Sequence, residues 1–368
     1  MRVDFTNLNK LIPNKKLFFS KINNLLKNNQ LVGGKEIDHF QREFSTFVNS
    51  KFTIAVANGT DALEIAIKSL KLKKNSEIIV PTNTWISTAA AVVNNGFKLV
   101  LCDINLDDYT MCLIDLKKKI NKNTSCIIPV HLYGNPSDII SIKKTIIGKK
   151  NIKIIEDCAQ AHGSFINGRH VGTFGDIGTF SFFPSKNIGG IGDGGAIVTN
   201  NKKILNFCIR CRNHGALNKY DHKFVGRNSR LDCFNSSLIR EKIKIYDKVL
   251  QKRKVLSKIY HNNLESIKSI KLFKYKKNFS YSFHQFVIRL ENYKYRDELR
   301  SFLKKKKVET MIHYPYMLNS LTFLKYKKKL NNCYMLEKKI LSLPISEEHT
   351  ANEINYVCKL IKKFFKRK

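Results

Sequence analysis

Between residues 50 and 200 of this 368-residue chain, short apolar runs alternate with amphipathic ones, and that rhythm constrains the fold more than any other feature. Residues 53–57, 77–80, 99–103, 126–130 and 152–156 are short, continuous and apolar, as strands buried on both faces should be. Between the first two, Leu63, Ala66, Ile67 and Leu70 fall on one helical face. Ile37, Phe40, Phe44 and Phe47 do the same before the first strand. This alternation predicts an α/β fold, a mostly parallel sheet with helices on both sides. After residue 186 the rhythm changes. Residues 194–199 read as a strand, 236–266 as a long helix and 283–290 as a strand. A helix over 295–305, a strand into His313 and a helix over 352–365 follow. The expected division is a large domain, 1–235, including the N-terminal segment, and a smaller α+β domain, 236–368. There are no internal repeats.

Composition excludes several function classes. A 43% hydrophobic content is ample for a large core. The net charge of +37 invites a nucleic-acid reading, but the lysines are spread along the whole chain. Their densest blocks, 304–307 and 327–329, lie in the C-terminal part, and no helix-turn-helix, zinc-finger or RNP pattern accompanies them. Neither a nucleic-acid partner nor a membrane is expected: no apolar run approaches the roughly 20 residues that span a bilayer. The N-terminus lacks an apolar leader, so the nine scattered cysteines read as reduced thiols in a cytoplasm. Cys208 and Cys211 form a CxxC with no second pair to complete a zinc site, and no metal is expected.

Four segments carry candidate chemistry. Asn58-Gly59-Thr60-Asp61 sits between a strand and a helix; Gly59 permits close backbone approach, and Thr60 or Asp61 caps a helix starting near Ala62. Such a helix N-terminus is a phosphate site or simply a capped helix. Glu156-Asp157-Cys158-Ala159-Gln160 ends an apolar strand, where ligands gather in open α/β sheets. A carboxylate there holds a ring nitrogen protonated, or caps the next turn. Lys186 follows the apolar run Phe180-Ser181-Phe182-Phe183 and precedes the glycine-rich stretch 189–195. An amine in apolar surroundings loses basicity and becomes nucleophilic. Gly226-Arg227-Asn228-Ser229-Arg230 is a weaker signal, a polar loop before the long helix.

Together these segments resemble the DegT/StrS group of sugar aminotransferases, from about Leu8 onward. The resemblance rests on an ordered series of motifs. It begins with Asn58-Gly59-Thr60-Asp61-Ala62-Leu63, then Pro81-Thr82-Asn83-Thr84-Trp85 and Pro129-Val130-His131-Leu132-Tyr133-Gly134-Asn135-Pro136. Glu156-Asp157-Cys158-Ala159-Gln160-Ala161-His162-Gly163 and Ser181-Phe182-Phe183-Pro184-Ser185-Lys186-Asn187 follow. Asn228-Ser229-Arg230-Leu231-Asp232 and Ile312-His313-Tyr314-Pro315 complete it.

The resemblance implies the aspartate-aminotransferase fold (fold type I), with a seven-stranded sheet, and pyridoxal phosphate as cofactor. It makes Lys186 the residue that bonds the cofactor, Asp157 the partner of its ring nitrogen and Gln160 a donor to its phenolic oxygen. Trp85 would stack on the ring; Gly59, Thr60 and Ser181 would hold the phosphate. Asn228 would reach the cofactor phosphate of a second subunit, making a homodimer with shared sites. His313 and Tyr314 would line the substrate cleft. The implied reaction passes an amino group from L-glutamate to a nucleotide-linked keto sugar for surface-glycan synthesis. Gly59-Thr60-Asp61-Ala62-Leu63 favours the C3 carbonyl of a dTDP-linked 3-keto-6-deoxyhexose; C4 amination of a dTDP-, UDP- or GDP-4-keto sugar is the alternative. Related sugar 3-dehydratases carry His at the position of Lys186, which speaks against that reaction here. A regulatory or nucleic-acid-binding protein would leave the cofactor set without purpose. Where the family often has Tyr before the Asn, and Gln-Ala-Ala a few residues later, this chain has Arg227 and Asn235-Ser236-Ser237.

Overall fold

In the computed structural model, residues 1–7, 12–149, 151–326, 328 and 330–366 are described; Leu8, and Lys327 and Lys329 of the second lysine block, lie outside them. Helix α1 (Lys15–Lys27) is capped by the Asn14 side chain. Helix α2 (Lys35–Val48) buries Ile37, Phe40, Phe44 and Val48, with Phe47 only partly covered. Strands and helices then alternate as β1 (Phe52–Val56), α3 (Gly59–Ser69), β2 (Glu77–Pro81), α4 (Ile86–Asn94), β3 (Lys98–Cys102), α5 (Leu113–Lys119) and β4 (Thr124–Ile127). Next come α6 (Ile139–Thr145), β5 (Lys153–Asp157), β6 (Ile177–Ser181) and β7 (Gly195–Thr199).

These strands form one seven-stranded sheet in the order β1-β7-β6-β5-β4-β2-β3. Neighbours from β3 through β6 pair in parallel, and β7 runs antiparallel to both β6 and β1. The apolar runs are continuous because both faces are covered. Ile54 and Val56 enter one core while Ala55 enters the other; Ile78 and Val80 part from Ile79 in the same way. The expected strands are present with ends moved by one to three residues, the largest shift being at β4, expected over 126–130. Strand β6 was not anticipated as a separate element: its Gly-Thr-Phe-Ser sequence lacks the aliphatic signature of its neighbours.

Helix α7 (Lys202–Arg212) buries Cys208 and Cys211. Helix α8 (Cys233–Leu264) joins two cores: Ile239 and Tyr246 pack with Ala55 and Ile79 on one face of the sheet, Leu256, Tyr260 and Leu264 in a third core. That third core lies beneath an antiparallel sheet, β8 (Ile270–Lys271), β9 (Phe286–Leu290) and β10 (Ile340–Leu343). It is covered by α9 (Tyr293–Lys305) and α11 (Ala351–Phe365), whereas α10 (Asn331–Glu337) packs its Cys333 and Leu336 with Ile54 and Val56 in the core on the other face of the large sheet. Val3 bridges to Val308 and belongs to the third core, so the amino-terminal segment sits with the C-terminal elements.

Two expectations need correction. No strand leads into His313, only a single bridge from Met311 to Ser342, because the chain then turns and the His313 carbonyl is taken by the Tyr133 hydroxyl. The strand expected from residue 283 begins at Phe286, because the amides of Ser282 and Gln285 bond to the carbonyls of Gly134 and Tyr133 instead of a ladder.

Candidate active site

The ends of β1, β5 and β6 and the loops that follow them surround a cavity of about 370 Å³. The turn after β1 is built by Asn58: its side chain accepts from the Asp61 amide at 2.8 Å, and α3 starts at Gly59. The cap is therefore Asn58, not Thr60 or Asp61, and the first-turn amides of Gly59 and Thr60 point out of the helix end without intrahelical acceptors. A Cβ on Gly59 would lie 2.8 Å from the Cβ of Ser181, so only glycine allows β6 to approach this closely. Thr60 Oγ1 and Ser87 Oγ are 2.7 Å apart, which adds hydroxyls to the same rim.

On the facing wall, Asp157 ends β5 and is 5% exposed. Its Oδ1 accepts from the Ala159 amide at 3.1 Å and its Oδ2 from the Thr88 hydroxyl at 2.9 Å. Burial pushes this carboxyl above its ordinary value; the Ala159 and Thr88 hydrogen bonds and the charge of Lys186 only partly offset it. Lys186 follows β6 and lines the same cavity. Burial lowers its amine to about 8, with Asp157 opposing the shift. The loop after it is fixed by Asn235, which accepts from the Ile191 amide at 3.0 Å and donates to the Asp193 carbonyl at 2.7 Å. Gly190 leaves room for that side chain: a Cβ there would sit 1.8 Å from Asn235 Oδ1.

Gln160 is oriented rather than free. Its Oε1 accepts from the Tyr133 amide at 2.8 Å, so its Nε2 turns toward the Tyr314 hydroxyl at 2.9 Å, on the cavity side. The Trp85 ring is 58% exposed at the cavity mouth, with its centroid 5.5 Å from that of Tyr314. His313 Nδ1 pairs with Ser342 Oγ at 2.9 Å, and burial beside Lys186 holds its imidazole down at about 4.

The cavity thus gathers Gly59, Thr60, Trp85, Asp157, Gln160, Ser181, Lys186, His313 and Tyr314. Asn228 does not line it; it is exposed on the loop before α8. Arg227 turns toward α3 and pairs with Asp61 at 2.5 Å and with Glu64. Sequence reasoning missed Thr88, Ser87, His284 and Gln285. Thr88 stands one helical turn after Thr84, and their hydroxyls are 2.9 Å apart, a spacing visible in sequence once the helix is known. His284, whose Nδ1 meets Asn187 Oδ1 at 2.9 Å, gave no local signal.

Fold and site together give an α/β protein whose sheet ends gather a lysine and a buried carboxylate in one cavity. Residues 14–362 match the DegT/DnrJ/EryC1/StrS aminotransferase family, and the chain belongs to that family. It is 34% identical to a dTDP-3-amino-3,6-dideoxy-alpha-D-galactopyranose transaminase of Aneurinibacillus thermoaerophilus, over 93% of this chain and 94% of that one. The crystal structure of Streptomyces venezuelae DesV in complex with a ketimine intermediate superposes with a TM-score of 0.94 at 30% identity, covering 99% of this chain and 98% of DesV. NtdA of Bacillus subtilis, solved with bound cofactor PMP, superposes with a TM-score of 0.92 at 27% identity, covering 99% of this chain and 85% of NtdA.

Proposed function

We propose that this protein is a cytoplasmic, homodimeric, pyridoxal-phosphate-dependent aminotransferase. It passes the amino group of L-glutamate to the C3 carbonyl of a dTDP-linked 3-keto-6-deoxyhexose destined for surface glycans. The carrying observation is the single cavity in which the Lys186 amine, lowered to about 8, shares a wall with the buried Asp157 carboxylate. The sugar class is supported by the galactopyranose transaminase, a dTDP-3-amino-sugar enzyme by its name.

The residues present fit the cofactor. The outward amides of α3 and the hydroxyls of Thr60 and Ser181 form a phosphate cradle that a side chain at position 59 would fill. The Gln160 Nε2 and the Asp157 carboxylate suit a phenolic oxygen and a ring nitrogen, and Trp85 supplies an aromatic face. When bound, pyridoxal phosphate supplies an aldehyde carbon for amine exchange and a ring that draws electron density from the donor Cα. Asp157 would hold the ring nitrogen protonated. Lys186 would bond the cofactor, and its amine would take a proton from the donor Cα and return it in the reverse half-reaction. Keto acid leaves before the sugar nucleotide enters, so kinetics are ping-pong. The exposed Asn228, together with the 85%-exposed Val225 and 79%-exposed Tyr220 nearby, supports a second subunit seated on this loop.

The test is near-ultraviolet and visible absorbance of the purified holoprotein before and after L-glutamate, beside Lys186→Ala. Glutamate should convert the cofactor band in the wild type and leave the variant unchanged. Restoration of the band by a panel of 3-keto and 4-keto sugar nucleotides then names the carbon. A band indifferent to glutamate would overturn the proposal.

A further inference from the structure

The turn Leu132-Tyr133-Gly134 carries no group that the proposed reaction uses, yet it is bonded to several parts of the cavity wall. Tyr133 is 1% exposed and adopts φ 62°, ψ 8°, the left-handed region that non-glycine residues seldom occupy. Three of its polar groups are engaged by three separate parts of the wall. Its amide donates to Gln160 Oε1 at 2.8 Å, which is what turns the Gln160 Nε2 toward the cavity. Its carbonyl accepts from the Gln285 amide at 3.2 Å. Its hydroxyl donates to the His313 carbonyl, and Asn83, two residues before Trp85, approaches the same oxygen at 3.4 Å. The next residue continues the contact: a Cβ on Gly134 would lie 2.4 Å from Ser282 Oγ and 2.9 Å from the Phe283 nitrogen. The turn therefore presses directly on the chain that leads into β9.

These contacts have a common consequence. Gln160 follows β5 of the large sheet, while Gln285, His313 and Tyr314 arrive from far along the chain; Tyr133 bonds to Gln160 on one side and to Gln285 and His313 on the other, beside the direct Gln160–Tyr314 bond. Burial raises its phenol above the ordinary value, so the hydroxyl stays a donor at any working pH. We propose that Tyr133 is a positioning residue that sets the sugar-nucleotide side of the cavity, by holding the His313–Tyr314 segment in register with the lysine and carboxylate side. This rests on the amination of a keto-sugar nucleotide proposed above, in which His313 and Tyr314 line the substrate cleft.

Tyr133→Phe removes the hydroxyl bond to His313 while keeping the amide to Gln160, the carbonyl to Gln285 and the ring volume. In the holoenzyme, the cofactor band and the L-glutamate half-reaction should stay within about twofold of wild type, while KM for the keto-sugar nucleotide rises about tenfold, the worth of one lost hydrogen bond. Hydrogen exchange of the 311–316 amides should quicken. Where Tyr133→Phe does not fold, 3-fluorotyrosine at 133 serves instead; as a stronger donor of nearly the same size it should slow that exchange and leave KM no higher. For Tyr133→Phe, an unchanged KM or a parallel loss of both half-reactions and of the cofactor band would overturn the assignment; for 3-fluorotyrosine a raised KM would; and unaltered exchange in the variant used would do so in either case. Failure of the wild-type protein to respond to glutamate would instead count against the proposed reaction, so the two outcomes are separable.

Discussion

At the end of β5, two carboxylates one residue apart face opposite sides of the sheet and meet opposite surroundings. Behind it, Glu156 is fully buried and saturated. It accepts from the amides of Gly172, Phe174 and Gly175 at 2.7–2.8 Å and lies 3.0 Å from His131 Nε2, whose Nδ1 accepts from the Ser137 amide. Burial pushes its carboxyl up, but the bond from His131 and the amides more than offset this, and the group stays below its ordinary value. In front, Asp157 has two donors, and burial wins. Strand alternation sent these acids to opposite faces. The saturated one locks the loop at 172–175 to the strand, and the unsaturated one is left ready for a ligand.

If this division holds, front-face changes should strike chemistry and back-face changes stability. The largest effect belongs to Lys186→Ala, expected to cut kcat by about 10⁴-fold with thermal stability nearly unchanged, measured by turnover beside melting. A residual rate near wild type would break the comparison at its centre. Next comes Asp157→Asn, expected to lower kcat about 100-fold through loss of the charge that holds the ring nitrogen protonated, with circular dichroism intact. Glu156→Gln should do the reverse: unfolding free energy falls by about 3 kcal/mol in denaturant titration, while the folded fraction keeps activity within about threefold.

The pH dependence of apoprotein stability sharpens the contrast further. Glu156 contributes stability that is present above its ordinary value of 4.5 and is lost as pH falls through its lower folded value. Asp157, raised above its ordinary 3.8, contributes stability that is full below that value and is lost as pH rises through the folded one. Glu156→Gln and Asp157→Asn should therefore remove limbs of opposite slope from the stability profile, and limbs of the same slope would contradict the assignment. The smallest effect is expected from Thr88→Val. Losing the hydroxyl donated to Asp157 raises that carboxyl further, so the acid limb of kcat/KM moves to higher pH while activity at high pH changes little.

Much of the site was legible before any coordinates. Asp157, Gln160, Gly59 and Thr60 lie at or just past the ends of strands that show themselves through local apolar runs, and in an open α/β sheet such ends converge. Lys186 stood out by the apolar residues and glycines around it, whereas Ser181, on the unanticipated β6, was marked only by the motif of the resemblance. The cap of α3 was misplaced because Asn58 and Asp61 are equally good capping residues in sequence. Asn228 illustrates the opposite limit: its own cavity excludes it, and only exposure on its loop reveals that.

The sequence by itself determined the alternation of strands and helices apart from β6, the two-sided burial of the sheet and the lysine and carboxylate near its strand ends. All of these depend on residues within a few positions of one another. The tertiary structure alone decided that Tyr133 meets His313, that Gln285 and His284 reach the cavity, that Thr88 holds Asp157 and that Arg227 turns away to Asp61 and Glu64. These pairings join residues tens to hundreds of positions apart. They are fixed by how the helices and the C-terminal sheet dock, and hydrophobic periodicity, which reports only which face of an element is buried, carries no record of which partner buries it.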